Sequence, residues 1–122
     1  MRERRVNSRY DVSTTTLLKG RTSKSPKGER LLTFSTAGCG FCSLLDEFKL
    51  KVGDVLRCEF ELDGMDPVKV SGAILFCNPY PIVGQIGRFY GIRFLGNSER
   101  LIKPIMDELE ALNDRGQICL AQ

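Results

Sequence analysis

The stretch Leu56–Phe76, LRCEFELDGMDPVKVSGAILF, decides the fold class of this 122-residue chain. Apolar and charged residues alternate strictly over its first seven positions, which is the period-two pattern of a strand with one buried face. Asp63-Gly64 supplies a turn, and Pro67 begins the next strand, where its missing N–H does least harm. The apolar face continues at alternate positions of that strand, namely Val68, Val70, Ile74 and Phe76. The pattern predicts an antiparallel hairpin.

Further strands are predicted on both sides of this hairpin. They cover Val12–Leu18, which is rich in threonine and β-branched residues, and Arg30–Phe34, Cys39–Leu44 and Phe89–Leu95. Two segments rich in glycine, proline, serine or asparagine, 20–28 and 78–81, are predicted to be loops.

The carboxyl-terminal part of the chain changes to a helical period. Apolar residues recur there at Ile105, Leu109 and Leu112, with acidic residues between them. Pro104 fits a first helical turn or a kink after a leading turn, and Gly116 fits a stop. Five to seven strands followed by one helix predict a mainly β protein, a small barrel with the helix packed across an opening.

The composition favours a binding domain over an enzyme. Hydrophobic residues make up 42% of the chain and charged residues 27%, which is typical of one soluble globular domain at this length. No apolar run approaches the roughly 20 residues of a membrane span, and none follows the basic amino terminus, so we expect a cytoplasmic protein. The chain has no histidine, the commonest general base and metal ligand, and we expect no catalysis.

The five cysteines point to a reducing compartment, since their odd number and irregular spacing do not form a disulfide framework. Cys39 and Cys42 have the C-x-x-C spacing of redox and zinc sites. A structural zinc site needs a second pair of ligands, and a thioredoxin-type site needs a helix start. Because strand residues three apart point to opposite faces, buried free thiols are favoured over either chemistry.

The charge of +3 is unevenly distributed. Residues 1–30 carry nine basic and three acidic side chains, whereas residues 31–122 carry nine basic and twelve acidic ones. A cationic segment ahead of a mildly anionic body suits an anionic partner such as nucleic acid, a lipid headgroup or a nucleotide. A solvated basic tail explains the same pattern.

Two short motifs identify a family. Arg5-Val6-Asn7-Ser8-Arg9 is an R-x-x-x-R preceded by Arg4, and Ser35-Thr36-Ala37-Gly38 is an S-x-x-G that closes a predicted strand. With a late strand, Tyr90–Phe94, leading to the terminal helix, their order and spacing resemble the PilZ domain, a bacterial six-stranded antiparallel barrel that binds cyclic di-GMP. The resemblance extends from Arg4 to about Asn113. It implies a single PilZ-like domain over 1–122, with a flexible arginine-rich loop (1–10), a barrel (11–96) and a C-terminal helix (98–115).

The resemblance also implies a set of ligand-binding residues: Arg4, Arg5, Arg9, Thr33, Ser35 and Gly38. A guanidinium is planar, charged and forked, and so pairs with phosphate oxygens or with the O6/N7 edge of guanine. Ser35 would offer a hydroxyl, and Gly38 would permit a tight turn or a close backbone approach. Thr33 departs from the family, which has aspartate or asparagine there, so one contact to the guanine edge is weakened or lost.

By resemblance, the chain is a cytoplasmic cyclic di-GMP receptor that acts on an unidentified effector protein in motility, pilus or exopolysaccharide control. It would need no cofactor, metal or nucleic acid partner and would not insert into membranes. Arg4 implies that the nucleotide binds as an intercalated dimer. One alternative is a PilZ-like adaptor that acts by protein contacts without nucleotide. Another is a small barrel that binds RNA or single-stranded DNA, although the middle strands lack the required basic and aromatic face.

Overall fold

A computed structural model of the chain describes residues 8–23, 29–43, 50–82 and 85–121. In these ranges eight strands form one antiparallel sheet, and a helix follows the seventh strand. The strands are β1 (Arg9–Asp11), β2 (Leu18–Thr22), β3 (Glu29–Ser35), β4 (Gly38–Ser43), β5 (Val55–Leu62), β6 (Val68–Ile82), β7 (Gln85–Phe94) and β8 (Cys119–Leu120). The helix, α1, is Ser98–Asp114. Neighbours in the sheet follow the order β2-β5-β6-β7-β4-β3-β1-β8.

The predicted class, mainly β with a C-terminal helix, is confirmed, but the predicted count of six strands is wrong. Part of the predicted loop 1–10 is β1, and part of the predicted loop 20–28 is β2. The strand predicted at Val12–Leu18 is wrong as well, because Asp11 Oδ1 accepts hydrogen bonds from the Ser13 N–H (3.0 Å) and hydroxyl (2.6 Å). These bonds form a turn that separates β1 from β2.

The β6–β7 hairpin is longer than the alternation of the sequence predicts. Its ladder continues from Asn78 paired with Phe89 to Ile82 paired with Gln85, so the loop predicted at 78–81 is wrong. β5 pairs with β6 only as far as Ala73, which leaves the later part of β6 as an edge. Prolines are tolerated on edge strands, where a missing N–H breaks no ladder bond.

A bulge in β6 places Phe76 on the opposite face of the sheet from Ile74. The register with β7 shifts between Ile74 and Phe76, which leaves Leu75 as an extra, half-exposed residue. Such a bulge moves later side chains to the opposite face of the sheet. Ile74 is therefore buried in the core, whereas Phe76 lies on the outer face against Gly91. The prediction that Phe76 continues the core face is wrong for this reason.

The core lies between the inner face of the sheet and α1. Phe60 is its centre, with ring centroids 4.9 Å from Phe34 and 5.6 Å from Phe94, both in edge-to-face geometry. Edge-to-face pairs add to the gain from burial alone. The helix contributes four fully buried side chains, Ile102, Ile105, Leu109 and Leu112.

The helix is continuous from Ser98, so Pro104 lies inside it rather than at its start. The Ser98 hydroxyl donates to the Leu95 carbonyl just before the helix. The predicted stop at Gly116 is confirmed, because Gly116 has φ +75° and its N–H donates to Asn113. This Schellman-type end places the last helical residue at Asp114, one before the predicted boundary. No helix within the described residues is long and apolar enough to span a bilayer.

The sheet curls so that β2, at one of its ends, meets the interior strand β3 through one partly buried carboxylate. No ladder joins β2 to β3 in the described ranges. Instead, Glu29 on β3 accepts hydrogen bonds from the Thr22 N–H (3.0 Å) and hydroxyl (3.1 Å) on β2. Burial raises the pKa of Glu29 to about 7, although both hydrogen bonds from Thr22 lower it.

The contact of Glu29 with Thr22 predicts that the free energy of unfolding falls as pH rises. A carboxyl whose pKa is raised on folding contributes its full stability below its unfolded pKa, 4.5, and loses it as pH passes through 7. Between pH 5 and pH 8.5, the free energy of unfolding of the wild type should therefore fall by about 1–2 kcal/mol more than that of Glu29→Gln. Denaturant unfolding at the two pH values measures this difference. Glu61→Gln, an exposed change on β5, is the matched control. Equal pH dependence of all three proteins would contradict the assignment.

Candidate functional site

A depression of about 280 Å³ lies on the outer face of the sheet across β3, β4, β7 and the bulged part of β6. Gly40 on β4 pairs with Gly91 on β7, so two side chains are missing at its centre. The remaining lining is Arg9, Thr33, Ser35, Ala37, Gly38, Cys39, Leu75, Phe76, Phe89, Ile92 and Arg93. We name this depression the outer cavity.

The structure brings four of the six sequence-predicted site residues together in the outer cavity. Arg9, Thr33, Ser35 and Gly38 all line it. Arg9 is exposed on β1 and pairs directly with Ser35 on β3. Because paired residues of neighbouring strands share a face, Arg9 and Ser35 lie on the same side of the sheet. Arg4 and Arg5 lie outside the described residues.

Ser35 and Gly38 build the turn between β3 and β4. The Ser35 hydroxyl oxygen accepts from the Gly38 N–H and its proton is donated to the Gly38 carbonyl, both at 3.2 Å. A Cβ on Gly38 would lie 2.0 Å from the Ile92 carbonyl oxygen. The close backbone approach expected at Gly38 is therefore an approach to β7, and the S-x-x-G residues have a structural role of their own.

Thr33 faces the cavity from β3, opposite Gly40. Its Oγ1 lies 2.7 Å from the position that a Cβ on Gly40 would occupy, and the edge of the Phe89 ring lies 2.9 Å from the same point. Thr33 and Phe89 therefore converge over Gly40.

The lining residues that were not predicted as site residues include Phe76, Phe89 and Arg93. The ring centroids of Phe76 and Phe89 are 5.6 Å apart, and the ring planes are inclined by 41°. The Phe76 ring covers Gly91, since it lies 2.2 Å from the position that a Cβ on Gly91 would occupy. Arg93 is exposed on β7 and pairs with Gly38. The alternation of Tyr90–Phe94 already places Arg93 on the outer face, and this signal could have identified it.

The outer cavity and a second, larger depression differ in charge, and only the charge of the outer cavity suits an anion. That depression, of about 390 Å³, lies between α1 and the barrel and is lined by Tyr10, Thr36, Glu99, Arg100, Lys103, Met106, Asp107 and Glu110. Its three carboxylates outnumber its two cations, and Lys103 already pairs with Asp107 at 3.1 Å. The described lining of the outer cavity carries two guanidiniums and no carboxylate.

The C-x-x-C cysteines are buried free thiols, the interpretation that the sequence favoured. Burial raises the pKa of Cys39 and of Cys42, which disfavours the reactive thiolate. The described residues contain no group of three or more cysteine, aspartate or glutamate side chains that could hold a metal ion.

The sequence model of the PilZ domain matches residues 3–112, which include both motifs, β1 to β7 and most of α1. Neither the curated proteins nor the solved structures contain a significant match to the chain.

The contact at Gly38 predicts a large effect of one added methyl group. Gly38→Ala should destabilise the fold by about 2 kcal/mol or more, because its Cβ meets backbone that cannot rotate away. Ala37→Gly, an exposed change at the preceding position, is the matched control and should cost about 1 kcal/mol or less. Urea unfolding of both variants tests this, and equal midpoints would contradict the close approach of β4 to β7.

Proposed function

We propose that this chain, which belongs to the PilZ domain family, is a cyclic di-GMP receptor whose outer cavity holds the nucleotide. The single observation that supports this is the convergence of Arg9, Thr33, Ser35 and Gly38 in one cavity. These residues come from two motifs separated by some two dozen positions. The liganded protein then acts on an effector protein in the cytoplasm, in control of motility, pili or exopolysaccharide.

Two arginines border the cavity at opposite sides and suit the two phosphates of the ligand. Arg9 is on β1 and Arg93 on β7, with β3 and β4 between them. Three strand spacings separate their backbones by about 14 Å. Both side chains are exposed and long enough to reach inwards, and a guanidinium binds phosphate through paired, charge-assisted hydrogen bonds. Ser35 and Gly38 contribute by holding the turn that sets this spacing.

The outer cavity is small for a dinucleotide. Its volume of about 280 Å³ lies at the lower limit for small-molecule sites, so part of the ligand must remain above the sheet. Arg4 and Arg5 precede β1 in the sequence. In this proposal they cover the exposed part of the ligand, and the surface so formed is what the effector recognises.

A second function, an adaptor that acts without nucleotide, is favoured by one observation. Ser35 and Gly38 have full structural roles in the β3–β4 turn, and Thr33 lacks the side chain that contacts guanine in the family. Their presence therefore does not itself require a ligand. The discriminating test is a titration with cyclic di-GMP.

The first expected result concerns the arginines. Arg5→Ala, Arg9→Ala and Arg93→Ala should each weaken cyclic di-GMP binding by roughly 1.5–3 kcal/mol, the worth of a hydrogen bond to a charged group. Isothermal titration calorimetry measures this. Arg57→Ala removes an exposed arginine of β5 outside the cavity lining and should leave the affinity unchanged. Wild-type affinity in the Arg5→Ala, Arg9→Ala double variant would exclude the proposed site.

The second expected result concerns stoichiometry. We expect two nucleotides per chain, because Arg4 adds a third guanidinium next to the motif pair and a stacked dimer brings four phosphates together. The same calorimetry should give two in the wild type and one in Arg4→Ala. Binding should also increase hydrogen-exchange protection of the amides of residues 1–9. A one-to-one wild-type complex would contradict the dimer, and unchanged protection would contradict the covering role of this segment.

A further inference from the structure

The described side chains of the outer cavity do not suit the Watson–Crick edge of guanine, one of the two edges by which guanine differs from adenine. That edge of guanine carries the N1–H and N2–H₂ donors, which are best met by a carboxylate or amide oxygen. Among the described lining residues none carries a carboxylate or a carboxamide. The two hydroxyls are poor substitutes, since that of Ser35 already donates to and accepts from Gly38 and that of Thr33 is short and directed over Gly40.

The carboxylate that lies opposite Thr33 is turned away from the outer cavity. Asp11 pairs with Thr33 across β1 and β3 but does not line the cavity. Its Oδ1 accepts two hydrogen bonds from Ser13, which hold the carboxylate towards the β1–β2 turn. Those bonds also lower the pKa of Asp11, so the group stays ionised in that position.

What the cavity does offer a base is an aromatic surface. The bulge at Leu75 brings Phe76 to the outer face, where it lies half-buried beside Phe89 over the paired glycines. Stacking of a base on an aromatic ring tolerates any base, since every base has a π face. The two lining arginines are the phosphate-binding groups of the proposed function.

From these observations we infer that the outer cavity binds cyclic purine dinucleotides through their phosphates and a stacked base, with little discrimination between guanine and adenine. The inference rests on the proposed function but widens its ligand class to include cyclic di-AMP. It assigns Phe76 as the residue on which the base stacks. It also assigns Thr33 as the position where discrimination is lost.

The test is calorimetry of the full chain with cyclic di-GMP and with cyclic di-AMP. We expect both to bind, with dissociation constants within about tenfold of each other, because one good bidentate base contact would alone separate them by roughly that factor or more. A larger preference for cyclic di-GMP overturns the inference while leaving the proposed function intact. That result would mean that an arginine contacts the O6/N7 edge of guanine. Absence of binding by either nucleotide overturns the proposed function itself.

Variants at position 33 locate the discrimination. Thr33→Asn should raise the preference for cyclic di-GMP by about tenfold, since the amide oxygen accepts from the guanine edge. Asparagine is the better probe than Thr33→Asp, because a second carboxylate directly opposite Asp11 is destabilising. Asp11→Asn is the matched control and should leave the preference of the wild type unchanged. A changed preference in Asp11→Asn, or none in Thr33→Asn, contradicts the inference.

Variants at position 76 test the stacking. Phe76→Leu should weaken both nucleotides in parallel by about fivefold or more, whereas Phe76→Tyr, which keeps the ring, should retain both affinities. Thermal unfolding of the two variants separates loss of binding from loss of fold. A folded Phe76→Leu protein with wild-type affinities contradicts the stacking role.

Discussion

The close approach of β4 to β7 is the constraint on which the rest of this molecule depends. A Cβ on Gly38 would lie 2.0 Å from the Ile92 carbonyl oxygen, and one on Gly91 would lie 2.2 Å from the Phe76 ring. Only glycine permits both contacts. Gly40 and Gly91 face each other across the same strand pair, and the side chains of Thr33, Phe89 and Phe76 fit over them because neither has a Cβ. The floor of the outer cavity follows from this approach, and the bulge in β6 then brings the Phe76 ring over it.

The motif residues divide into those that shape the site and those that would contact a ligand. Ser35 and Gly38 close the β3–β4 turn and seat it against β7. That turn lies between Arg9 and Arg93 and so fixes the distance between the backbones of these two residues. An S-x-x-G sequence can therefore persist for structural reasons in a protein that has lost its ligand, and the arginines are the more informative positions.

The sequence predicted the fold where periodicity alone determined it. The alternation in Leu56–Leu62 and the helical period around Ile105 and Leu109 both appear in the structure as expected. The errors arise where a local interaction overrides the period. The Asp11 side chain ends β1 by bonding to Ser13, and the unpaired edge of β6 accepts the prolines that read as a loop. For the site, the motifs supplied Arg9 and its neighbours, whereas Phe76 was assigned to the core because a bulge leaves no trace in an alternating pattern.

The central claim is that a cyclic dinucleotide binds on the outer face over Gly40 and Gly91, and amide chemical-shift mapping tests it most directly. Titration of the ¹⁵N-labelled full chain with cyclic di-GMP should shift the amides of Thr33–Gly40 and Phe89–Arg93 most strongly. The amides of α1 that border the larger, acidic depression should change little. Shifts concentrated on α1 between Glu99 and Glu110, or no shifts at saturating nucleotide, would contradict the account.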